Sequence, residues 1–323
     1  MSQYQGRDFD GIYDKLVHDL LKNPEFVCSP RGTLIHEKIG TQISLHNPRA
    51  RLLANEPRAT NYGFAVGEFL WYWQGREDLE MMQYYNKRMK SFSKDGKTLN
   101  SAYGKRLRAS HVQLPLGYFD GYFGEPQTQW EICKRTLNED ADSRRAVLHV
   151  NRPNDQRLAV DIGSPDVPCT LSLQFFIRDS KLHLIVTMRS NDVIWGLTYD
   201  LFSFTLLQEC MLLDLKRTYP ERFKDLELGK YIHTAGSMHL YDRHFELAGQ
   251  IFDWQGKPAR PMEPIKSLTA LEQLCELEQS LRLGAIDKFT SEFSAEFFKN
   301  EPTLEWMLNE LNKHKEKRNA ERK

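Results

Sequence analysis

The chain has 323 residues, enough for one large domain or two small ones, and we expect one compact domain. Acidic and basic residues balance at 44 each, so no global field attracts nucleic acid or a membrane surface, and any anion site must be local. No apolar run approaches the roughly 18 residues that span a bilayer, and the first residues are polar, so we expect a cytoplasmic protein.

The first part of the chain predicts helices. Apolar residues at helical spacing begin at Phe9 and end near Asn23, where an Asn-Pro pair terminates the helix. Residues 29–34 then have the composition of a loop. The aromatic-rich segment 61–75 and the segment 77–89 predict two further helices in the core.

The middle of the chain predicts a sheet. Strand patterns occur at 145–150, 170–177 and 181–188, and a tight turn at 178–181 joins the last two into a hairpin. Residues 197–215 are apolar almost all round, as in a buried helix, and 231–241 is again typical of a strand. Charged helices and a basic tail follow from about Lys266.

Cys169 is the candidate nucleophile. The five cysteines are odd in number and lack CxxC spacing, which argues against a disulfide framework and a zinc site. A lone cysteine is more often a small buried hydrophobe. About 20 residues later, however, Arg189 and Ser190 could hold an anion near this thiol, and a cationic neighbour lowers a thiol's pKa.

Arginines in separate loops form a possible phosphate site. Arg144 and Arg145 lie side by side before a strand, where they form either a solvated turn or a phosphate clamp. Arg31 lies in a loop that Gly32 allows to bend towards a ligand. Together with Arg189 they bind one anion only if the fold brings them together.

Eight short blocks in order decide between these alternatives. SPRGT, GEFLWYWQG, AYGKRLR, DADSRR, PCT, QFFIRD, MRSNDVIWG and SMHLYDRH resemble the successive blocks of thymidylate synthase and its pyrimidine-nucleotide hydroxymethylase relatives, across about residues 28–250. The resemblance implies an α+β homodimer with a large mixed sheet, covered by helices on one face and dimerising through the other. We expect a catalytic domain at 1–265 and a helical C-terminal extension with a basic tail at 266–323.

The resemblance also implies the chemistry and the site. Cys169 would add to carbon 6 of the pyrimidine, so that carbon 5 attacks the co-substrate 5,10-methylenetetrahydrofolate. Glu68 matches a buried glutamate that organises water and proton transfer, although it could also be a partnered carboxylate of the core. Tyr103 matches a tyrosine beside the nucleophile, although ordinary packing would also explain it. The matches to phosphate-binding residues are Arg31, Arg189, Ser190 and, across the dimer interface, Arg144 and Arg145. His239 and Tyr241 match the pair that binds the sugar, and Gln174 and Gly196 match nearby pocket positions. The matches for the folate site are Asp192, Gly196, Met89 and Phe92.

Two departures from the synthase pattern favour cytosine over uracil. Asp200 stands where synthases carry the asparagine that reads uracil, and the cytidylate hydroxymethylases of the family carry aspartate there. A carboxyl group can accept from the 4-amino group of cytosine and, when protonated, donate to its ring nitrogen. Thr170 follows the nucleophile, as in the phage-type cytidylate enzyme, where synthases usually have histidine.

Three functions stay open at this point. The first is a 5-hydroxymethylase of CMP or dCMP, in which water rather than hydride completes the reaction; Met89 in place of a folate-pocket tryptophan is consistent with this. The second is a thymidylate synthase that methylates dUMP with an unusual base-reading residue. The third is a nucleotide- or RNA-binding descendant without turnover, suggested by the altered C-terminus and its basic tail.

Overall fold

A computed structural model of the chain describes residues 2–109, 111–112 and 127–321. The strands are β1 Gln3–Gly6, β2 Phe26–Cys28, β3 Ile35–Leu45, β4 His111–Val112, β5 Gln127–Thr128, β6 Val147–His149, β7 Thr170–Arg178, β8 Lys181–Asp192 and β9 Glu227–Tyr241. The helices are α1 Phe9–Lys22, α2 Tyr62–Trp73, α3 Leu79–Tyr85, α4 Gln129–Glu139, α5 Pro153–Ile162, α6 Leu197–Thr218, α7 Pro220–Phe223, α8 Phe245–Asp253, α9 Leu268–Leu283, α10 Ser291–Phe297 and α11 Pro302–Ala320.

Seven of the described strands form one mixed sheet, in the order β1-β3-β9-β8-β7-β6, with β2 paired to β3. The pairs β1–β3 and β8–β9 are parallel, and the other neighbours are antiparallel. The predicted hairpin of β7 and β8 is present. Its two turn residues, Asp179 and Ser180, both have positive φ, as a two-residue hairpin turn requires. The α+β architecture is therefore as expected.

One face of the sheet carries the core. Along β8, Leu182, Leu184 and Val186 are fully buried, and α6 packs against this strand and β9. The alternate residues His183 and Ile185 stay partly exposed on the opposite face. Because the side chains alternate along the strand, one row lies in the core and a second row stays open to solvent in the single chain.

The helices cover the buried face for identifiable reasons. Helix α1 begins where the Asp8 side chain accepts a hydrogen bond from the Gly11 amide, and its apolar stripe packs against the sheet and α8. Helix α6 is buried along most of its length, which explains why its sequence is apolar almost all round. Within the described residues, no helix combines the length and apolar character needed to cross a membrane.

The last helix packs on the first part of the chain. Helix α11 lies against α2, where a Cβ added at Gly63 would stand 2.4 Å from the Cβ of His314. The ring of Trp306 contacts that of Tyr62, with centroids 5.3 Å apart. These contacts pack the two sides of the boundary expected at residues 265/266 against each other, and that boundary stays a prediction.

Candidate active site

A large cavity opens where several strands of the sheet end. Its wall includes the carboxyl ends of β8 and β9, the start of β3 and one side of α2. The cavity volume is about 1820 Å³. Pockets for a single small ligand usually measure about 300–1,000 Å³. The described part of this cavity is therefore large enough for two organic ligands side by side.

Cys169 lies in this wall, immediately before β7, and Arg189 of β8 holds the segment that carries it. The Arg189 amide donates to the Cys169 carbonyl oxygen at 2.8 Å. Its guanidinium group donates to the carbonyl oxygens of Pro168, at 3.0 Å, and Val167, at 3.1 Å. Arg189 therefore lies beside the segment that carries the thiol and shapes its backbone, and its expected role in holding an anion there stays a prediction.

Tyr103 fixes the same backbone from the other side. Its hydroxyl oxygen accepts hydrogen bonds from the amides of Cys169, at 3.2 Å, and Thr170, at 3.3 Å. The Tyr103 ring stacks on Tyr72 of α2, with centroids 5.3 Å apart. The next residue is Gly104, where an added Cβ would stand 2.4 Å from the Tyr72 carbonyl oxygen, so this approach requires glycine.

The environment of the thiol differs from the sequence expectation in one respect. Burial raises the pKa of Cys169, the charge of Arg189 lowers it, Asp200 raises it, and Arg31 lowers it. The expected effect of Arg189 has the right sign, but burial outweighs it, and the net pKa lies above the ordinary value. The thiol form is therefore favoured at neutral pH, and a nucleophilic role for Cys169 would require the loss of its proton.

Two carboxyl groups of the cavity interact with each other. Burial, and then the charge of Asp200, raises the pKa of Glu68 to about 8, although a hydrogen bond from Tyr72 lowers it. Burial raises the pKa of Asp200 to about 7, against a hydrogen bond from Asn191 that lowers it. Such perturbed pairs are typical of sites that move protons, because each group can be neutral or charged near pH 7.

The Asp200 carboxyl group ends a buried chain of hydrogen bonds. The Asn191 Nδ2 atom donates to Asp200 Oδ2 at 2.7 Å, and Asn191 Oδ1 lies 3.1 Å from His233 Nε2. The His233 Nδ1 atom lies 2.9 Å from the Tyr231 hydroxyl. Burial lowers the pKa of His233 to about 3, so its ring is neutral. The sequence alone did not predict this chain.

The predicted sugar-binding pair lies at the end of β9. His239 and Tyr241 both line the cavity, with ring centroids 5.0 Å apart, and burial lowers the pKa of His239. Beside them Ser237 donates a hydrogen bond to Glu37 of β3, a carboxylate that also lines the cavity. Neither Ser237 nor Glu37 was predicted. Ser237 lies in a recognised block but was given no role, and the strand that carries Glu37 was not recognised from the sequence.

The phosphate-binding candidates of this chain converge only in part. Arg31, Arg189 and Ser190 line the cavity. Arg31 has φ 55° and precedes Gly32 at φ 79°, so the loop bends there through the left-handed region, which is unusual for arginine. A non-glycine residue in this conformation often marks a functional loop.

Arg144, Arg145 and Gln174 do not line this cavity in the single chain. Gln174 lies on β7, and its side-chain amide donates to the Arg144 carbonyl oxygen at 2.9 Å. In the single chain the Gln174 amide is thus held at the 144–145 segment, and its assignment to a nearby pocket position stays a prediction. The expected role of the two arginines in the partner subunit's site stays a prediction.

The outer part of the cavity, where Phe92 is 40% exposed, contains the residues predicted for folate. Met89 and Phe92 line it, and so do Asp192 and Gly196. The Asp192 Oδ1 atom accepts hydrogen bonds from the amides of Ile194, at 2.8 Å, and the following residue, at 3.3 Å, which shapes the turn before α6. A Cβ at Gly196 would stand 2.7 Å from Asn191 Nδ2, so glycine leaves room for that amide.

Trp195 and the last helix add wall residues that were not predicted. The Trp195 side chain is 46% exposed, and its Nε1 atom donates to His244 Nε2 at 2.8 Å. His314 and Arg318 of α11 also line the cavity. The Arg318 guanidinium group lies over the Tyr84 ring, 4.3 Å from its centroid. Trp195 was present in a recognised block, whereas the contribution of α11 depends on tertiary packing alone.

Comparison with known proteins agrees with this geometry. The pattern of the family described as thymidylate synthase matches residues 11–274. The chain is 31% identical over 241 residues to the deoxyuridylate hydroxymethyltransferase of Bacillus phage SP01, which covers 75% of this chain and 59% of that protein. It is 29% identical over 231 residues to the deoxycytidylate 5-hydroxymethyltransferase of Enterobacteria phage T6, which covers 70% of this chain and 84% of that protein.

The solved structures give the fold. The thermostable thymidylate synthase A from Bacillus subtilis superposes with a TM-score of 0.57 at 23% identity, covering 78% of this chain and 87% of that chain. The chain spans only 59% of the length of the SP01 relative. Since the family pattern covers most of the chain and the fold agrees with that of a solved thymidylate synthase, this chain belongs to the thymidylate synthase family.

Proposed function

We propose that the chain is a one-carbon transferase that converts CMP or dCMP to its 5-hydroxymethyl derivative. The observation that carries this proposal is the carboxyl group of Asp200, which lines the same cavity as the Cys169 thiol. Its pKa of about 7 leaves the neutral and ionised forms both populated near neutral pH. A neutral carboxyl group offers a donor and an acceptor together.

Base recognition follows from how the hydrogen-bonding edge of cytosine meets the carboxyl group of Asp200. Cytosine presents a 4-amino donor beside a ring-nitrogen acceptor. A neutral Asp200 accepts from the first with one oxygen and donates to the second with the other. An ionised Asp200 offers only acceptors and leaves the ring nitrogen without a partner in the pocket, which costs affinity. Cytosine binding therefore holds the Asp200 proton in place.

Cys169 is the proposed nucleophile. Its sulfur adds to carbon 6 of the base as the thiol proton leaves to water in the cavity, and the electron pair of the ring double bond moves to carbon 5. Arg189 favours the thiolate through its charge, and Tyr103 fixes the backbone amides on both sides of the attacking residue. Glu68, neutral below about pH 8, can exchange a proton with water beside the base.

The co-substrate of the family, 5,10-methylenetetrahydrofolate, supplies a one-carbon unit at the oxidation level of formaldehyde. The outer cavity fits such a molecule, since the exposed rings of Phe92 and Trp195 offer flat apolar surfaces and Asp192 offers a carboxylate. Met89 stands at the position where synthases carry a tryptophan of the folate pocket. The lack of this tryptophan favours water over hydride as the group that completes the product.

A homodimer is part of the proposal. Family members pair through the sheet face that α6 does not cover, and in this chain that face carries partly exposed residues such as Ile185. Arg144 and Arg145 are proposed to cross the interface and bind the phosphate in the partner subunit's site. Neither arginine lines the cavity of its own chain, which is consistent with that assignment.

The test is a product assay with CMP, dCMP and dUMP, each with methylenetetrahydrofolate. We expect a mass gain of one CH₂O unit on a cytidylate, without dihydrofolate absorbance. Cys169→Ser should abolish the product while nucleotide binding is retained. Binding without turnover in the unmodified chain would favour a non-catalytic descendant, and formation of dihydrofolate would favour a synthase.

A second candidate is the same transfer to a uridylate. It is favoured by the SP01 relative, which is named for deoxyuridylate, and by the synthases of similar identity, such as thymidylate synthase 1 of Bacillus subtilis at 27% over 252 residues. Turnover of dUMP alone in the same assay would replace the cytidylate proposal with this one.

A further inference from the structure

A neutral carboxyl group does not by itself choose between cytosine and uracil. Cytosine needs a donor at its ring nitrogen and an acceptor at its 4-amino group, whereas uracil needs an acceptor at its ring N–H and a donor at its 4-carbonyl oxygen. Exchanging the proton between the two oxygens of Asp200 converts one pattern into the other. Selectivity therefore requires something that fixes which oxygen carries the proton.

Asn191 makes the two oxygens of Asp200 different. Its Nδ2 atom donates to Oδ2 at 2.7 Å, and its side chain is almost fully buried at 3% exposure. Because Oδ2 accepts this hydrogen bond and keeps its second lone pair for the base, the proton of the neutral carboxyl group is favoured on Oδ1. The orientation of the Asn191 amide thus decides the polarity of Asp200.

His233 and Tyr231 in turn fix the orientation of that amide. Two arrangements satisfy the central contacts: either Asn191 donates to Asp200 and accepts from His233 Nε2–H, or the amide is flipped and both bonds reverse. In the flipped arrangement the histidine carries its proton on Nδ1 and donates it to the Tyr231 oxygen. The ring of His233 is fully buried and neutral, so it has only one N–H to give.

Tyr231 separates the two arrangements in free energy. In the first, its O–H donates to His233 Nδ1 at 2.9 Å. In the flipped one that O–H must find another acceptor, and among the residues that the structure describes Tyr231 Oη makes no second hydrogen bond. Its side chain is fully buried, so water does not replace the missing partner. An unpaired buried O–H is costly, and the first arrangement is favoured.

We propose that Tyr231, His233 and Asn191 are positioning residues that set the polarity of the Asp200 carboxyl group and thereby select one pyrimidine over the other. The proposal rests on Asp200 reading the base, as in the proposed function. It goes beyond that function because it places the origin of selectivity in three residues behind Asp200, joined by hydrogen bonds that end at Tyr231 on β9.

The test uses Tyr231→Phe, which removes the O–H without opening a large cavity, and Asn191→Leu, which removes the donor to Asp200. The measured quantity is the ratio of kcat/KM for cytidylate to that for uridylate in one preparation. This ratio cancels any unfolded fraction. We expect at least about a fivefold loss of selectivity in Tyr231→Phe and a larger loss in Asn191→Leu.

Tyr4→Phe is the matched control. Tyr4, on the edge strand β1, is also buried, at 8% exposure. Its hydroxyl donates to the Asp19 carboxylate of α1 at 2.9 Å, so this variant loses a comparable hydrogen bond. Its selectivity ratio should equal that of the unmodified chain. An unchanged ratio in both Tyr231→Phe and Asn191→Leu would overturn the inference.

The same measurements separate this inference from the proposed function. If the unmodified protein prefers uridylate, the cytidylate proposal fails. Loss of that preference in Tyr231→Phe would still support the inference that Tyr231, His233 and Asn191 set the polarity of Asp200. If the unmodified protein has no preference between the two nucleotides, the hydrogen bonds from Tyr231 to Asp200 do not set the polarity of the carboxyl group, and the inference is wrong.

Discussion

Replacing Asp200 with asparagine should stabilise the fold at neutral and alkaline pH. The pKa of this carboxyl group is raised by burial from 3.8 to about 7, so the folded chain holds a proton that the unfolded chain releases. Above about pH 3.8 the unfolded state therefore gains stability as pH rises, and the free energy of unfolding falls until about pH 7. Asparagine carries no such proton, and it keeps an oxygen for the amide of Asn191.

The magnitude follows from the shift. A difference of about three pKa units at about 1.4 kcal/mol each gives an upper limit of about 4 kcal/mol for the cost of Asp200 at pH 8. Water in the open cavity reduces this cost, so we expect about 2–4 kcal/mol. The charge of Asp200 also raises the pKa of Glu68, and its removal should add to the gain.

Urea denaturation from pH 4 to pH 9 measures this effect. The difference in unfolding free energy between Asp200→Asn and the unmodified chain should be close to zero near pH 4, rise up to about pH 7 and then level off. Asp225→Asn, in the exposed turn after α7, is the charge control and should change stability by less than about 0.5 kcal/mol throughout. A pH-independent difference for Asp200→Asn would refute the assigned proton.

Three further substitutions test other parts of the site. Tyr103→Phe leaves two backbone amides beside the nucleophile without their acceptor, so we expect a loss of about 1–3 kcal/mol in stability and reduced kcat, measured by denaturation and turnover. Trp195→Ala should raise the KM for the folate about tenfold with little change in the KM for the nucleotide, as steady-state kinetics would show; equal changes in both would contradict its outer position. Gly63→Ala should cost about 1–3 kcal/mol, because the added methyl group meets His314 of α11. Unchanged thermal stability would contradict that packing.

Local patterns were sufficient for much of the fold. The apolar spacing of α1, the continuous apolar character of α6 and the alternation of β8 each predict their element, because burial on one face or on all sides leaves a direct trace in the sequence. Strand β3 was missed, since its first half, from Ile35 to Gly40, mixes polar and exposed residues and lacks a clear alternation.

The site was predictable only where it lies in recognisable blocks. Cys169, Glu68 and Asp200 come from distant segments, and the structure brings all three to one cavity. The hydrogen bond between Asn191 and His233 joins residues 42 positions apart, and no local pattern encodes such a pairing. The raised pKa of the thiol was also not predictable, because it depends on how deeply the tertiary structure buries the sulfur.

The proposed attack of the Cys169 sulfur on a cytosine base that Asp200 reads predicts a covalent adduct that can be trapped. Fluorine at carbon 5 does not leave as a cation, so a 5-fluoro nucleotide with methylenetetrahydrofolate should accumulate as a covalent complex. Peptide mass spectrometry should locate the adduct on Cys169, with more adduct from 5-fluoro-CMP or 5-fluoro-dCMP than from 5-fluoro-dUMP. An adduct on another cysteine, or one formed only with 5-fluoro-dUMP, would contradict the account.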